Sequence, residues 1–72
     1  MPFVEITVVS GREPEAIRNL MREVHGAVTS SLGVPDQSVR VAVREIPKEH
    51  WSAANVTYAE KEAAQAASEV TS

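Results

Sequence analysis

Between Phe3 and Val9 the chain alternates. Val4, Ile6 and Val8 point to one face, and Phe3, Glu5, Thr7 and Val9 to the other. A period of two marks a strand, predicted here over residues 2–9. Ser10-Gly11-Arg12 interrupts it, and Glu13-Pro14-Glu15 reads as a helix start, with proline at the first helical position and carboxylates near the positive end. From Pro14 to Leu32 the period becomes 3.6: Ile17, Leu20, Met21, Val24, Val28 and Leu32 share one stripe, helped by Ala27 and Ser31. Gly33 sits where a left-handed terminus is wanted, and Pro35 prevents the helix from resuming. A second alternating run, Val39, Val41 and Val43 against Arg40, Ala42 and Arg44, predicts a strand over residues 38–45.

Strand, helix, strand makes a βαβ unit, whose strands should be parallel and whose crossover should be right-handed. Val4, Ile6, Val8, Val39, Val41 and Val43 would then meet the helix stripe. Two strands under one helix are not stable alone. The opposite sheet face, with Phe3, Val9 and Ala42, is too apolar for water, so several copies should close over it with point symmetry. After Ile46-Pro47 a polar approach, Lys48-Glu49-His50, leads to the only tryptophan, Trp51. The alanine-rich tail predicts a helix over about residues 57–70.

Size sharpens the expectation of assembly. A chain of 72 residues is one domain, and folding at this size hides only about 60% of the unfolded surface. There is no cysteine and no spaced set of metal ligands to staple it. His25 and His50 lack partners at ligand spacing, so no metal is expected. A net charge of −3 argues against nucleic-acid and polybasic membrane roles. With no basic start before an apolar run and no stretch near 18 apolar residues, a soluble cytoplasmic protein is expected.

The candidate chemistry lies in a few residues. Removal of Met1 would leave Pro2 as a secondary amine fixed to a strand, able to act as base or nucleophile. Arg12 ends the first connection, and Arg40 and Arg44 stand on the second strand, facing away from the helix. An arginine fork suits a carboxylate, although Arg12 also reads as a solvated loop charge and Arg40 as a member of an intersubunit ion pair with Glu5 or Glu45. Trp51 would pack an interface or wall an apolar pocket. Glu5 reads better as an ion-pair member than as a second acid–base group.

Pro2 after methionine, Gly11-Arg12 after the first strand, Ser38-Val39-Arg40-Val41 on the second and the aromatic at His50-Trp51 together resemble the 4-oxalocrotonate tautomerase family. Arg22-Glu23-Val24 and Ser31-Leu32 add to the likeness, which spans residues 2–51 without gaps. The resemblance implies an α+β fold: one βαβ unit paired into dimers and assembled into a hexamer, a trimer of dimers. It divides the chain, a single domain over residues 1–72, into a core of 2–51 and a divergent tail of 52–72. It implies a cofactor-independent isomerase, a keto–enol tautomerase acting on a small anionic 2-hydroxy-dienoate or enolisable 2-oxo acid. Pro2 would be the catalytic base and Arg12 would bind a substrate carboxylate. Arg40 of a neighbouring subunit would polarise the 2-oxo or 2-hydroxy end, and Trp51, where the family usually has phenylalanine, would shape the site.

The proposed role is physically sound. An α-amine titrates at about 7.7–8.0 in model peptides, and burial beside guanidinium groups disfavours its cation, bringing it toward neutrality as a base. The family follows its aromatic with a Gly-Ile-Gly-Gly hairpin turn. This chain has Ser52-Ala53-Ala54-Asn55, so a helical or irregular tail is expected. Dehalogenase and hydratase relatives carry a water-activating carboxylate where this chain has Ala53, and one type has an arginine at Val9. Arg44 is similar to those relatives, but without the carboxylate it carries little weight, and tautomerisation is preferred over water addition. Two other readings stay open, the first suggested by Trp51 and the missing glycines and the second opposed by the joint presence of Pro2, Arg12 and Arg40. One is a specialised or biosynthetic superfamily enzyme with another substrate. The other is a non-catalytic partner subunit of a hetero-oligomeric tautomerase.

Overall fold

The computed structural model describes residues 1–70. Strand β1 (Phe3–Val9), helix α1 (Pro14–Leu32) and strand β2 (Arg40–Ile46) form the predicted unit. The strands are parallel, with Phe3 opposite Arg40 and Val9 opposite Ile46. The Arg40 N–H donates to the Pro2 carbonyl at 3.0 Å and the Ser10 N–H to the Ile46 carbonyl at 2.8 Å, extending the ladder at both ends. Pairing therefore reaches Pro2 without leaving any slack before the strand.

Pro14 opens α1 at its first position, as its fixed φ favours. Gly33 ends it at φ 64°, ψ 36°, its N–H returned to the Thr29 carbonyl at 2.9 Å. Ile17, Leu20, Met21, Val24 and Val28 are half-buried, whereas Leu32, predicted for the same stripe, is 63% exposed. The second strand begins two residues later than the alternation suggests. Asp36–Ser38 instead form one 3₁₀ turn, closed by the Ser38 hydroxyl donating to the Pro35 carbonyl at 2.8 Å.

The tail departs from expectation. Ser52–Ala53 (β3) and Val56–Thr57 (β4) pair antiparallel around Ala54-Asn55. Both turn residues have positive φ, 53° and 65°, which is the twist a two-residue hairpin requires. The hairpin thus forms without glycine: Asn55 tolerates this region, and Ala54 takes the strain. Helix α2 (Tyr58–Val70) follows at once. Thr57 and Glu60 form a reciprocal capping box: the Thr57 N–H donates to the Glu60 carboxylate at 2.9 Å, and the Glu60 N–H to the Thr57 hydroxyl at 3.0 Å. The expected helix over about residues 57–70 is present, and it packs on the Lys48–His50 turn and β4.

Among the described residues only Val39, 8% exposed, is buried. The chain measures 54 × 23 × 18 Å with a radius of gyration of 16.9 Å, against about 11 Å for a compact chain of this length. Its surface of 5452 Å² exceeds the roughly 4,400 Å² of a compact monomer of this mass. Phe3 is 63% exposed on the sheet face opposite α1. There Arg44 pairs with Glu5 at 3.3 Å within the chain. No helix among the described residues is long and apolar enough to cross a membrane.

Candidate active site

The strand ladder fixes Pro2 and Arg40 at one end of the sheet. Pro2 is half-buried, and its carbonyl is held by the Arg40 N–H. The Arg40 guanidinium folds back over its own approach, donating to the Gln37 carbonyl at 2.6 Å and weakly to that of Val39 at 3.4 Å. It therefore sits, exposed, beside the turn before β2.

Arg12 lies at the other end of β1. Seven strand residues separate the two ends, roughly 20 Å at about 3.3 Å per residue. One chain therefore does not bring Pro2 and Arg12 together. Arg12 donates from Nη1 to the Val9 carbonyl at 2.8 Å, which leaves its other donors without a protein partner among the described residues, and it lines a cleft of about 270 Å³. Val9, Ser10, Gly11, Lys48, Tyr58 and Glu62 line the rest of that cleft.

The sequence reading missed the last three of these. The Lys48 ammonium donates to both Glu62 carboxylate oxygens, at 2.9 and 3.2 Å, and lies 5.9 Å from the centre of the Tyr58 ring. Glu62 holds Lys48 above its usual pKa near 10.5, first through the hydrogen bond and then through its charge. Gly11 makes room for the lysine stem. A Cβ there would approach Lys48 Cε at 3.2 Å, and φ at +123° excludes most side chains in any case. The signal available in the sequence was Thr57-x-x-Glu60, which starts α2 and puts Tyr58 and Glu62 four residues apart on one face.

Trp51 is half-buried in a neighbouring cleft of about 320 Å³ with Ala53, Val56, Thr57, Tyr58 and Lys61. The Tyr58 N–H donates to the Trp51 carbonyl at 2.7 Å, so the tryptophan is fixed where hairpin and helix meet. Tyr58 is common to both clefts. His25 pairs with Asp36 at 3.1 Å, tying α1 to the turn before β2. Among the described residues no three His, Cys, Asp or Glu side chains gather as metal ligands would.

The family described as Tautomerase enzyme matches residues 2–61. The chain is 39% identical over 56 residues to a probable tautomerase of Ralstonia nicotianae, covering 78% of this chain and 80% of that protein. It is 35% identical over 57 residues to a 2-hydroxymuconate tautomerase of Comamonas testosteroni, covering 79% and 90%. Among solved structures, a 4-oxalocrotonate tautomerase isozyme of Methylibium petroleiphilum superposes with a TM-score of 0.82 at 33% identity, covering 88% of this chain and 98% of that one. A 4-oxalocrotonate tautomerase homologue of the tomaymycin biosynthetic pathway gives 0.81 at 34% identity, covering 86% and 95%. A heterohexameric 4-oxalocrotonate tautomerase of Chloroflexus aurantiacus gives 0.78 at 32% identity, covering 83% and 97%.

Proposed function

The chain belongs to the tautomerase family and is an isomerase; from that premise we propose that Pro2, freed of Met1, is its general base. The observation that carries this reading is the 3.0 Å hydrogen bond from the Arg40 N–H to the Pro2 carbonyl. It anchors the residue on the far side of its nitrogen, so a terminal amine there would hold one position at the sheet end. In this reading the amine takes the 2-hydroxyl proton of a dienol. The electron pair moves through the conjugated carbons, and the proton is returned to carbon, giving the 2-oxo product. The exchange balances internally and requires no cofactor.

Arg12 of another copy would complete the site around Pro2, because β1 holds Pro2 and Arg12 of one chain at its opposite ends, and the family resemblance assigns Arg40 to a neighbouring subunit as well. Arg12 grips a carboxylate. Arg40, released from the Gln37 carbonyl, stabilises charge developing on the 2-oxygen. Trp51 forms the apolar wall. The assembly is a homohexamer, a trimer of dimers, working in the cytoplasm. Support comes from a chain with one buried side chain among its described residues and an exposed Phe3, and from the substrate named for the 2-hydroxymuconate tautomerase relative.

The test pairs intact mass with an ultraviolet assay of 2-hydroxymuconate ketonisation on one sample. Loss of Met1 with rapid turnover is expected. Pro2→Ala should lower kcat/KM by about 10²–10⁴-fold, the usual contribution of a positioned base, while sedimentation is unchanged. Unaltered turnover in that variant would remove Pro2 from the mechanism. A second reading, a specialised substrate, is favoured by Trp51 and by the α2 wall that Tyr58 adds to both clefts. It predicts an absent Met1, an intact oligomer and slow turnover of 2-hydroxymuconate.

A further inference from the structure

Among the described residues, Tyr58 alone lines both the Arg12 cleft and the Trp51 cleft. Its place at the first turn of α2 is fixed from three directions. The Tyr58 N–H donates to the Trp51 carbonyl at 2.7 Å. The Thr57–Glu60 capping box holds the backbone on either side of it. One helical turn further on, Glu62 accepts from Lys48 at 2.9 Å, and the Lys48 ammonium lies 5.9 Å from the centre of the Tyr58 ring. The two clefts differ in kind. One carries the Arg12 guanidinium, and the other sets the Trp51 indole beside Ala53 and Val56. A ligand whose carboxylate meets Arg12 and whose carbon chain reaches toward Trp51 must pass Tyr58.

We infer that Tyr58 is a specificity-determining residue of the site, its ring the surface against which the conjugated carbons of the substrate lie. The inference rests on the reading of Arg12 and Trp51 as parts of one substrate site. A 2-hydroxy-dienoate is planar from its carboxylate through its double bonds. Such a π-system gains an offset-stacked contact with a ring that a saturated chain of equal length does not make. The saturated chain also gives up rotational freedom when it is held flat. The substrate class is therefore an extended, conjugated enol acid in preference to a saturated one.

The test compares muconate with adipate, unreactive ligands of equal length and charge that differ in conjugation. Tyr58 is the only tyrosine of the chain, so protein labelled in its tyrosine ring carbons reports on this residue alone. On the assembled wild-type protein, isotope-filtered NMR should show nuclear Overhauser effects between the Tyr58 ring and the vinyl protons of bound muconate. Bound muconate without them would overturn the inference. NMR titration should give a lower dissociation constant for muconate than for adipate. Tyr58→Leu should cut that preference by about two- to tenfold, the range of an aromatic pair, and Tyr58→Phe should keep it. An unchanged ratio in Tyr58→Leu, or equal weakening of both ligands, would leave Tyr58 a packing residue and overturn the inference, while weakening of both ligands in Arg12→Ala would keep the role of Arg12 standing. If neither ligand binds, or Arg12→Ala changes neither, the role of Arg12 fails and the inference fails with it.

Discussion

Arg12 has one bond of its own, to the Val9 carbonyl, and lines a cleft. A guanidinium in that setting contributes to binding more than to the bond-making step. Arg12→Ala should therefore raise KM by about 10- to 100-fold, the worth of one or two charge-assisted hydrogen bonds, with kcat changed much less. Steady-state kinetics decide it, and a loss confined to kcat would contradict the role. Ala54 makes the opposite kind of statement, because its backbone is costly and its side chain does nothing. At φ 53° an alanine holds a conformation that glycine enters without penalty. Ala54→Gly should stabilise the protein by roughly 0.5–1 kcal/mol after the extra unfolded-state entropy of glycine is counted. Urea unfolding at fixed protein concentration measures this, and a destabilised variant would refute it. The four residues Ser52-Ala53-Ala54-Asn55 look wrong for a tight turn by composition, and only the geometry shows that an asparagine and one strained alanine suffice.

At the scale of elements, α1 was legible from end to end. Pro14 and Gly33 are positional signals read directly from backbone physics, and the 3.6-residue stripe lies between them. β2 was legible in its faces but not in its first residue, since a serine hydroxyl closing a turn at Ser38 leaves no mark on an alternation of valines. Helix α2 was visible as composition, yet its packing was not. Among its ties to the Lys48–His50 turn is the Lys48–Glu62 pair across 14 residues, and no periodicity reports a contact of that kind. The same pair predicts a pH dependence. Its hydrogen bond raises the Lys48 pKa above the usual 10.5. A raised pKa means that the pair's contribution is fully present below about 10.5 and is lost as pH climbs through the raised value. With Lys48 and Lys61 followed by carbon NMR, the Lys48 titration should fall toward 10.5 in Glu62→Gln. An identical midpoint in both proteins would show that the pair is broken in solution.

For the whole molecule, the candidate site and the assembly are one problem. Pro2, Arg12, Arg40 and Trp51 could each be picked out by residue type and by resemblance, but their distribution over two ends of a sheet follows only from the parallel register. Phe3 opposite Arg40 and Val9 opposite Ile46 keep Pro2 next to Arg40 and roughly 20 Å from Arg12, so the proposed site, with Pro2 and Arg12 together, would draw on more than one copy. In the same proposal those surfaces would also sustain the fold. With one buried side chain among the described residues and Phe3 at 63% exposure, an isolated chain has too little apolar burial to offset the entropy of ordering its backbone. Dissociation and unfolding should therefore be a single event. Sedimentation velocity and far-ultraviolet circular dichroism, followed through the same dilution series in mild urea, should give coincident transitions whose midpoint moves with protein concentration. Phe3→Glu, which sets a carboxylate against the interface and removes about 1.5–3 kcal/mol of apolar burial per copy, should shift both transitions together to higher concentration. A helical, folded monomer persisting at micromolar concentration would separate the two events and end the argument that the second sheet face is an interface.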